Sequence, residues 1–227
     1  MNNFDVSFIL DSLPYLLKGL QFSLILTAVA FSCGIALGTI LALLVHLRVP
    51  VLGLIAKTYV ALIRSIPLIM VLFWFFFLVP LFLGWLSGAS RPVPVGATWT
   101  AFITFALFEA AYYCEIIRVG LRAVPKGQFE AAAALSLNPC ATYLHVILPQ
   151  VFRATVPIIL TQTIILFQDT SLVYVLSLTD LLGAASKLAQ ISGRLTEFYL
   201  TIALIYLVIC FGASQLVWRL RKKTKLQ

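Results

Sequence analysis

The sequence predicts an all-α integral membrane protein of five transmembrane helices, N-terminus outside and C-terminus cytoplasmic. Composition is the first reason: the 227 residues are 62% hydrophobic and 11% charged, with a mean hydropathy of +1.05, more apolar surface than a soluble fold of this size buries. The second is pattern, because the apolar runs are continuous over the roughly 20 residues that cross a bilayer, whereas barrel strands alternate over about ten. Charge supplies the orientation. With the N-terminus outside, all sixteen cations but Lys18, Arg91, Lys187 and Arg194 fall on one side, which is the positive-inside pattern and places the tail from Arg219 to Lys225 in the cytoplasm. That distribution also accounts for the net charge of +8 without a nucleic-acid partner.

The first eighteen residues carry Asp5, Asp11 and a single cation, Lys18, with no basic n-region or small-residue cleavage site, so no cleaved signal peptide is expected. The five spans are expected at 19–45, 66–85, 98–121, 151–167 and 196–217. Segment 50–64 is apolar but holds Lys57 and Arg64 before Pro67; it is expected along the cytoplasmic interface, its cations snorkelling to headgroups. Gly, Pro and Arg91 mark 87–96 as an outer loop. Segment 172–192, punctuated by Asp180, Gly183 and Lys187, predicts short helices near the outer face. The chain reads as one permease domain over 1–227, with no internal repeat.

Polar residues inside spans need partners or a pathway. In span three, Glu115 and Arg118 stand three apart, a spacing that pairs them on a helix. Glu109 lies about one and a half turns deeper, where Tyr112 and Tyr113 could satisfy it; a bundle-internal bond and a pathway role both remain open. Span four carries Pro157, which frees a backbone carbonyl, then Thr161, Gln162 and Thr163, and then Gln168 and Asp169 where the apolar run stops. Helix-to-helix hydrogen bonding and a substrate-lining role both fit. Cys33, Cys114, Cys140 and Cys210 lack metal-ligand spacing and read as small apolar packers; His46 and His145 read as interfacial. No catalytic set and no metal site is expected.

Segment 130–149, EAAAALSLNPCATYLHVILP, separates two apolar runs with a charge, a stretch of alanines and a Leu-Pro restart. It resembles the Glu-Ala-Ala loop of permease subunits of ATP-binding-cassette importers for polar amino acids. Glu130, Ala131, Ala132, Ser136, Val146, Leu148 and Pro149 match that motif, with Ser136 in the place of glycine, which argues against a positive φ there. Arg64-Ser65-Ile66-Pro67 is similar to the family's Arg-Gly-Thr-Pro. Gln168-Asp169-Thr170-Ser171-Leu172 is similar to its Lys-Asp-Thr-Ser-Leu. The resemblance spans roughly 13–222 and looks closest to glutamate/aspartate importer permeases.

The resemblance implies the type I importer permease fold in a bacterial inner membrane, with loop 123–149 coupling to an ATPase dimer through a helix beginning at Glu130, and Pro149 in the first turn of span four. It also implies a second permease subunit, the same or different, an extracytoplasmic substrate-binding protein, and membrane lipid around the spans. No Gly-x-x-x-x-Gly-Lys-Ser/Thr loop occurs, so ATP and Mg belong to the partner and this chain needs no cofactor. Relatives that import basic amino acids carry an acid where this chain has Gln162; a neutral amide avoids repelling an anionic ligand, and Thr161 and Gln162 can donate to carboxylate oxygens. No arginine is expected at mid-membrane. The alternative is an ion-coupled secondary transporter or channel using Glu109 and Asp169 without an ATPase.

Overall fold

The structure, a computed structural model, describes residues 6–224; Asp5, used in the signal-peptide argument, and Lys225, used in the charge argument, lie outside them. Helices account for its regular structure, and among the described residues there is no strand. In order they are α1 (Val6–His46), α2 (Leu52–Arg64), α3 (Leu68–Leu86), α4 (Ala97–Ala123), α5 (Lys126–Ala134), α6 (Pro139–Ala141), a π-helical turn (Thr142–Ile147), α7 (Leu148–Asp169), a 3₁₀ turn (Thr170–Leu176), α8 (Leu181–Ser192) and α9 (Leu195–Thr224). Among the described residues five helices are long and apolar enough to cross a membrane, at the five predicted places.

Their ends differ from expectation in two places. α1 starts at Val6 rather than residue 19 and runs 41 residues with Pro14 inside it, about 60 Å at 1.5 Å per residue. Its first turns are polar enough to escape a hydropathy window, yet they pack on α8 and α9: Leu16 is buried with Leu181, Ala185 and Phe198, and Phe8 meets Phe198 edge-on at 6.0 Å. The fourth membrane helix begins ten residues before Pro149, at Pro139, capped by the Asn138 side chain, which accepts from the Ala141 amide at 2.7 Å. Pro149 is in the first turn of α7 as expected, with α6 and the π-helical turn added ahead of it. Its ring excludes the carbonyl four residues back and its nitrogen donates nothing, and the π-helical turn just ahead of it lets the rod continue.

α4 is the central rod. Fourteen of its residues are buried, Glu109 and Tyr113 among them, and it is flanked by α1, α2, α3 and α7. α1 runs parallel to it, with Phe22 by Phe102 and Phe31 by Tyr113, and packs tightly at Gly34, against the Glu109 and Tyr113 side chains, and at Gly38, against the α4 backbone. A Cβ on Gly34 would stand 3.0 Å from that of Glu109, and one on Gly38 would stand 2.9 Å from the Ala110 carbonyl and the Cys114 amide. This Gly-x-x-x-Gly stripe permits close helix approach in lipid. α7 runs antiparallel to α4, with Val151 and Thr155 against Gly120.

α8 is a short helix seated on α1. Fully buried Asp180 caps it, accepting from the Leu182 and Gly183 amides at 3.0 and 2.9 Å, and Ser23 Oγ accepts from the Leu181 amide at 3.2 Å. Burial pushes the Asp180 carboxyl up to about 6 against the pull of those donors.

Candidate functional site

Candidate path residues other than Glu109, which is on α4, lie on α7, where successive side chains point about 100° apart. Gln162 and Asp169 open onto a cavity of about 340 Å³ shared with Pro67, Leu68, Phe108 and Tyr112. Gln162 and Tyr112 also line a second cavity, about 450 Å³, that continues past Ile158 to Arg64 and Glu115. Both cavities, together the groove, share Gln162 and Tyr112 in their lining. Ile158, Gln162, Ile165 and Asp169 follow the three-to-four spacing of one helix face.

Thr161, Gln168 and Glu109 are not among the residues lining this groove. Thr161 is turned toward α9: its hydroxyl donates to the Pro157 carbonyl at 2.8 Å and accepts from Arg221 Nη2 at 3.3 Å. Gln168 is exposed beside the groove end. Glu109 is 1% exposed, so it lies behind the groove wall rather than in it. Gln162 Nε2 donates to Oε1 and Oε2 of Glu109 at 3.2 and 3.4 Å, and Tyr113, one of the two expected tyrosines, also hydrogen-bonds it. The Tyr113 hydroxyl shares a hydrogen with Thr163 Oγ1 at 3.2 Å.

Arg64 is the groove-lining residue that the sequence reading misplaced. α2 does not lie flat on an interface. Ala56 and Val60 are buried, and the Tyr59 hydroxyl donates to the Leu107 carbonyl of α4 at 2.6 Å, well inside the membrane helix. The end of α2 thereby carries Arg64 up to α4, its guanidinium 5.4 Å from the Tyr112 ring centre and 4.0 Å from Glu115. Glu115 also pairs with Arg118 through both carboxylate oxygens, as the spacing predicted. An arginine therefore faces the groove at the depth of Tyr112, where none was expected. The signal available in the sequence was amphipathic spacing, with Gly53, Ala56 and Val60 falling on one face.

The loop motif gathers at the end of the bundle where α1 finishes: Tyr143 meets His46 at 6.1 Å and Phe129 at 5.9 Å. Its helix spans Lys126–Ala134 rather than starting at Glu130. Glu130, Ala131, Ser136 and Pro149 are exposed, whereas Ala132 and Leu148 are 3% and 8% exposed and pack inward. Ser136 adopts φ +55 despite its side chain. The Leu137 amide donates to Ala132 O at 3.1 Å and the Ser136 amide to Ala133 O at 2.9 Å, the paired bonds of a Schellman C-cap, in which that site is left-handed. The expectation against positive φ is thus corrected. Of the four cysteines, all free, Cys114 and Cys210 are buried packers, but Cys33 and Cys140 are exposed.

Five apolar helices around a groove with polar residues at mid-span, and a solvent-facing helical loop at one end, define a membrane-embedded transport component. The chain belongs to the binding-protein-dependent transport system inner membrane component family, which it matches over residues 34–226. It is 46% identical over 224 residues to the glutamate/aspartate import permease protein GltK of Escherichia coli O6:H1 (strain CFT073), covering 99% of this chain and 100% of that protein. It is 35% identical over 202 residues to the L-cystine transport system permease protein TcyB of Bacillus subtilis (strain 168), covering 88% of this chain and 82% of that one. A crystal structure of an amino acid ABC transporter with histidines superimposes with a TM-score of 0.83 at 27% identity, covering 98% of this chain and 99% of that chain. The chain is a permease subunit of an inner-membrane importer, and ATP hydrolysis belongs to a separate subunit.

Proposed function

We propose that this chain is the permease subunit of an ATP-driven importer of acidic L-amino acids, glutamate and aspartate. The observation that carries the substrate is the 46% identity to a glutamate/aspartate import permease along the whole chain. The groove supports it: a residue that lines both its cavities is the neutral Gln162, and Arg64 supplies the cation that an anionic ligand needs. Family membership displaces the ion-coupled alternative.

The end bearing α5 and Tyr143 is cytoplasmic on this reading, because Arg48, Arg122, Lys126 and Arg153 gather there; the N-terminus is then outside and the C-terminus cytoplasmic. Residues 1–227 form one permease domain, and loop 123–149 is its coupling element. Glu130, Ala131, Ser136 and Pro149 present the surface that enters a groove on the ATPase dimer; Ala132 and Leu148 fix that surface to the bundle. ATP and Mg act in the ATPase. The open side of the groove faces the second permease subunit, and a substrate-binding protein delivers the amino acid at the far end.

The test is reconstitution of the full complex in proteoliposomes, with ATP-dependent uptake read against a panel of amino acids. Uptake of glutamate and aspartate, absent without ATP, is expected. Uptake of arginine or lysine but not glutamate would overturn the substrate, and uptake driven by an ion gradient without the ATPase would overturn the mechanism.

A further inference from the structure

Three cations converge where the fold gives them one anion. Lys57 and Arg64 of α2 and Arg118 of α4 line a pocket of about 170 Å³, to which α1 contributes Val45. Glu115 is the one carboxylate in that lining; it pairs with Arg118 through both oxygens and stands 4.0 Å from Arg64. Among the described residues no carboxylate pairs with Lys57. Three cations against one carboxylate leave the pocket with an excess of two positive charges. Its floor includes the buried side chains of Val60 and Cys114, and beside such an apolar wall like charges repel more strongly than in open water.

We propose that this pocket binds the phosphate of an acidic phospholipid of the phosphatidylglycerol type. Charge complementarity selects an oxyanion, since guanidinium groups donate to phosphate oxygens as planar forks and an ammonium group meets them as a point charge. The same excess selects the headgroup. A phosphatidylethanolamine brings its own ammonium to a site already rich in cations, whereas a glycerol headgroup brings none. The surroundings select a lipid over a free anion: Leu54 and Leu62, on the adjoining face of α2, are 68% and 58% exposed and give acyl chains an apolar surface beside the phosphate. Depth agrees, because Val45 is the next-to-last residue of α1 and lies at the end of the bundle read above as cytoplasmic, where basic side chains attract acidic lipid headgroups.

The inference rests on the transport reading for its orientation alone, and its test reads lipid binding rather than uptake, so failure of either is seen separately. Phosphatidylglycerol or phosphatidylethanolamine is titrated into the delipidated full complex, and the first lipids bound are counted by native mass spectrometry. Wild type is expected to bind phosphatidylglycerol more tightly than phosphatidylethanolamine. Lys57→Gln, at an exposed side chain, is expected to weaken phosphatidylglycerol about fivefold, the worth of one cation to an acidic lipid, and Lys57→Arg to keep it. Arg219→Gln removes an exposed cation near the end of α9, outside the pocket, and should leave that affinity unchanged. Equal affinity for the two lipids, or a Lys57→Gln complex that binds phosphatidylglycerol as tightly as wild type, overturns the site. Displacement of the bound lipid by inorganic phosphate alone overturns the lipid and assigns the pocket to a free anion.

Discussion

Gly38→Ala should separate α1 from α4, and the contacts give its size. The added Cβ would lie 2.9 Å from the Ala110 carbonyl oxygen, the Cys114 amide nitrogen and the Tyr113 Cβ. Two of these are backbone atoms of a buried helix, which cannot rotate aside, and Tyr113 is itself fully buried. Relief requires the two rods to part by roughly half an ångström, and overpacking of this kind costs about 1–3 kcal/mol. Gly212→Ala is the matched control, because no atom lies within 4 Å of its added Cβ. Both variants gain the same intrinsic helix preference of about 0.5–1 kcal/mol, so their difference isolates the clash. At about 2–4 °C per kcal/mol for a chain this long, thermal melting of the purified permease should place Gly38→Ala about 2–12 °C below Gly212→Ala. Melting points within about 1 °C of each other would refute the close α1 to α4 seam.

The C-cap of α5 makes a ranked prediction: at φ +55, Ser136→Gly should melt at or above wild type and Ser136→Val about 1–2 kcal/mol below it, and Val equal to Gly in melting assays would exclude the left-handed site. Glu130→Lys reverses a charge on an exposed residue of α5, so it should leave the melting point unchanged while lowering ATP-driven uptake at least about tenfold; normal uptake would remove Glu130 from the coupling surface. Gln162→Glu would set a second carboxylate about 3 Å from Glu109 and is expected to cut uptake of acidic amino acids at least about tenfold through like-charge repulsion, with Gln162→Asn milder; equal losses in the two would argue against charge as the cause. Asp180→Ala removes the cap of α8 and should cost about 1–2 kcal/mol in thermal melting.

Membrane class, number of spans, the charge asymmetry and the loop motif were all legible in the sequence. Hydrophobic length, charge and short motifs are properties of contiguous residues and need no partner to be read. The Glu115–Arg118 pair was legible for the same reason, being local to one turn. Depth and rotation were not. A helix that is apolar on nearly every side carries little record of which face meets its neighbour, so Thr161 read as a path residue beside Gln162 and Thr163 did not stand apart. The structure sends them to Arg221, to the groove and to Tyr113 respectively. Likewise α2 holds two cations and resembled an interfacial segment, but Tyr59 and Val60 anchor it to α4 and bring Arg64 to the wall of the groove.

By itself, then, the sequence determined the solvent of this protein, its spans and the loop expected to meet an ATPase. Tertiary structure alone decided that Gln162 meets the buried Glu109, because the rotation of α4 and α7 is set by close contacts at Gly34, Gly38 and Gly120. Those contacts join residues far apart in the chain, and helix packing is where their geometry is fixed.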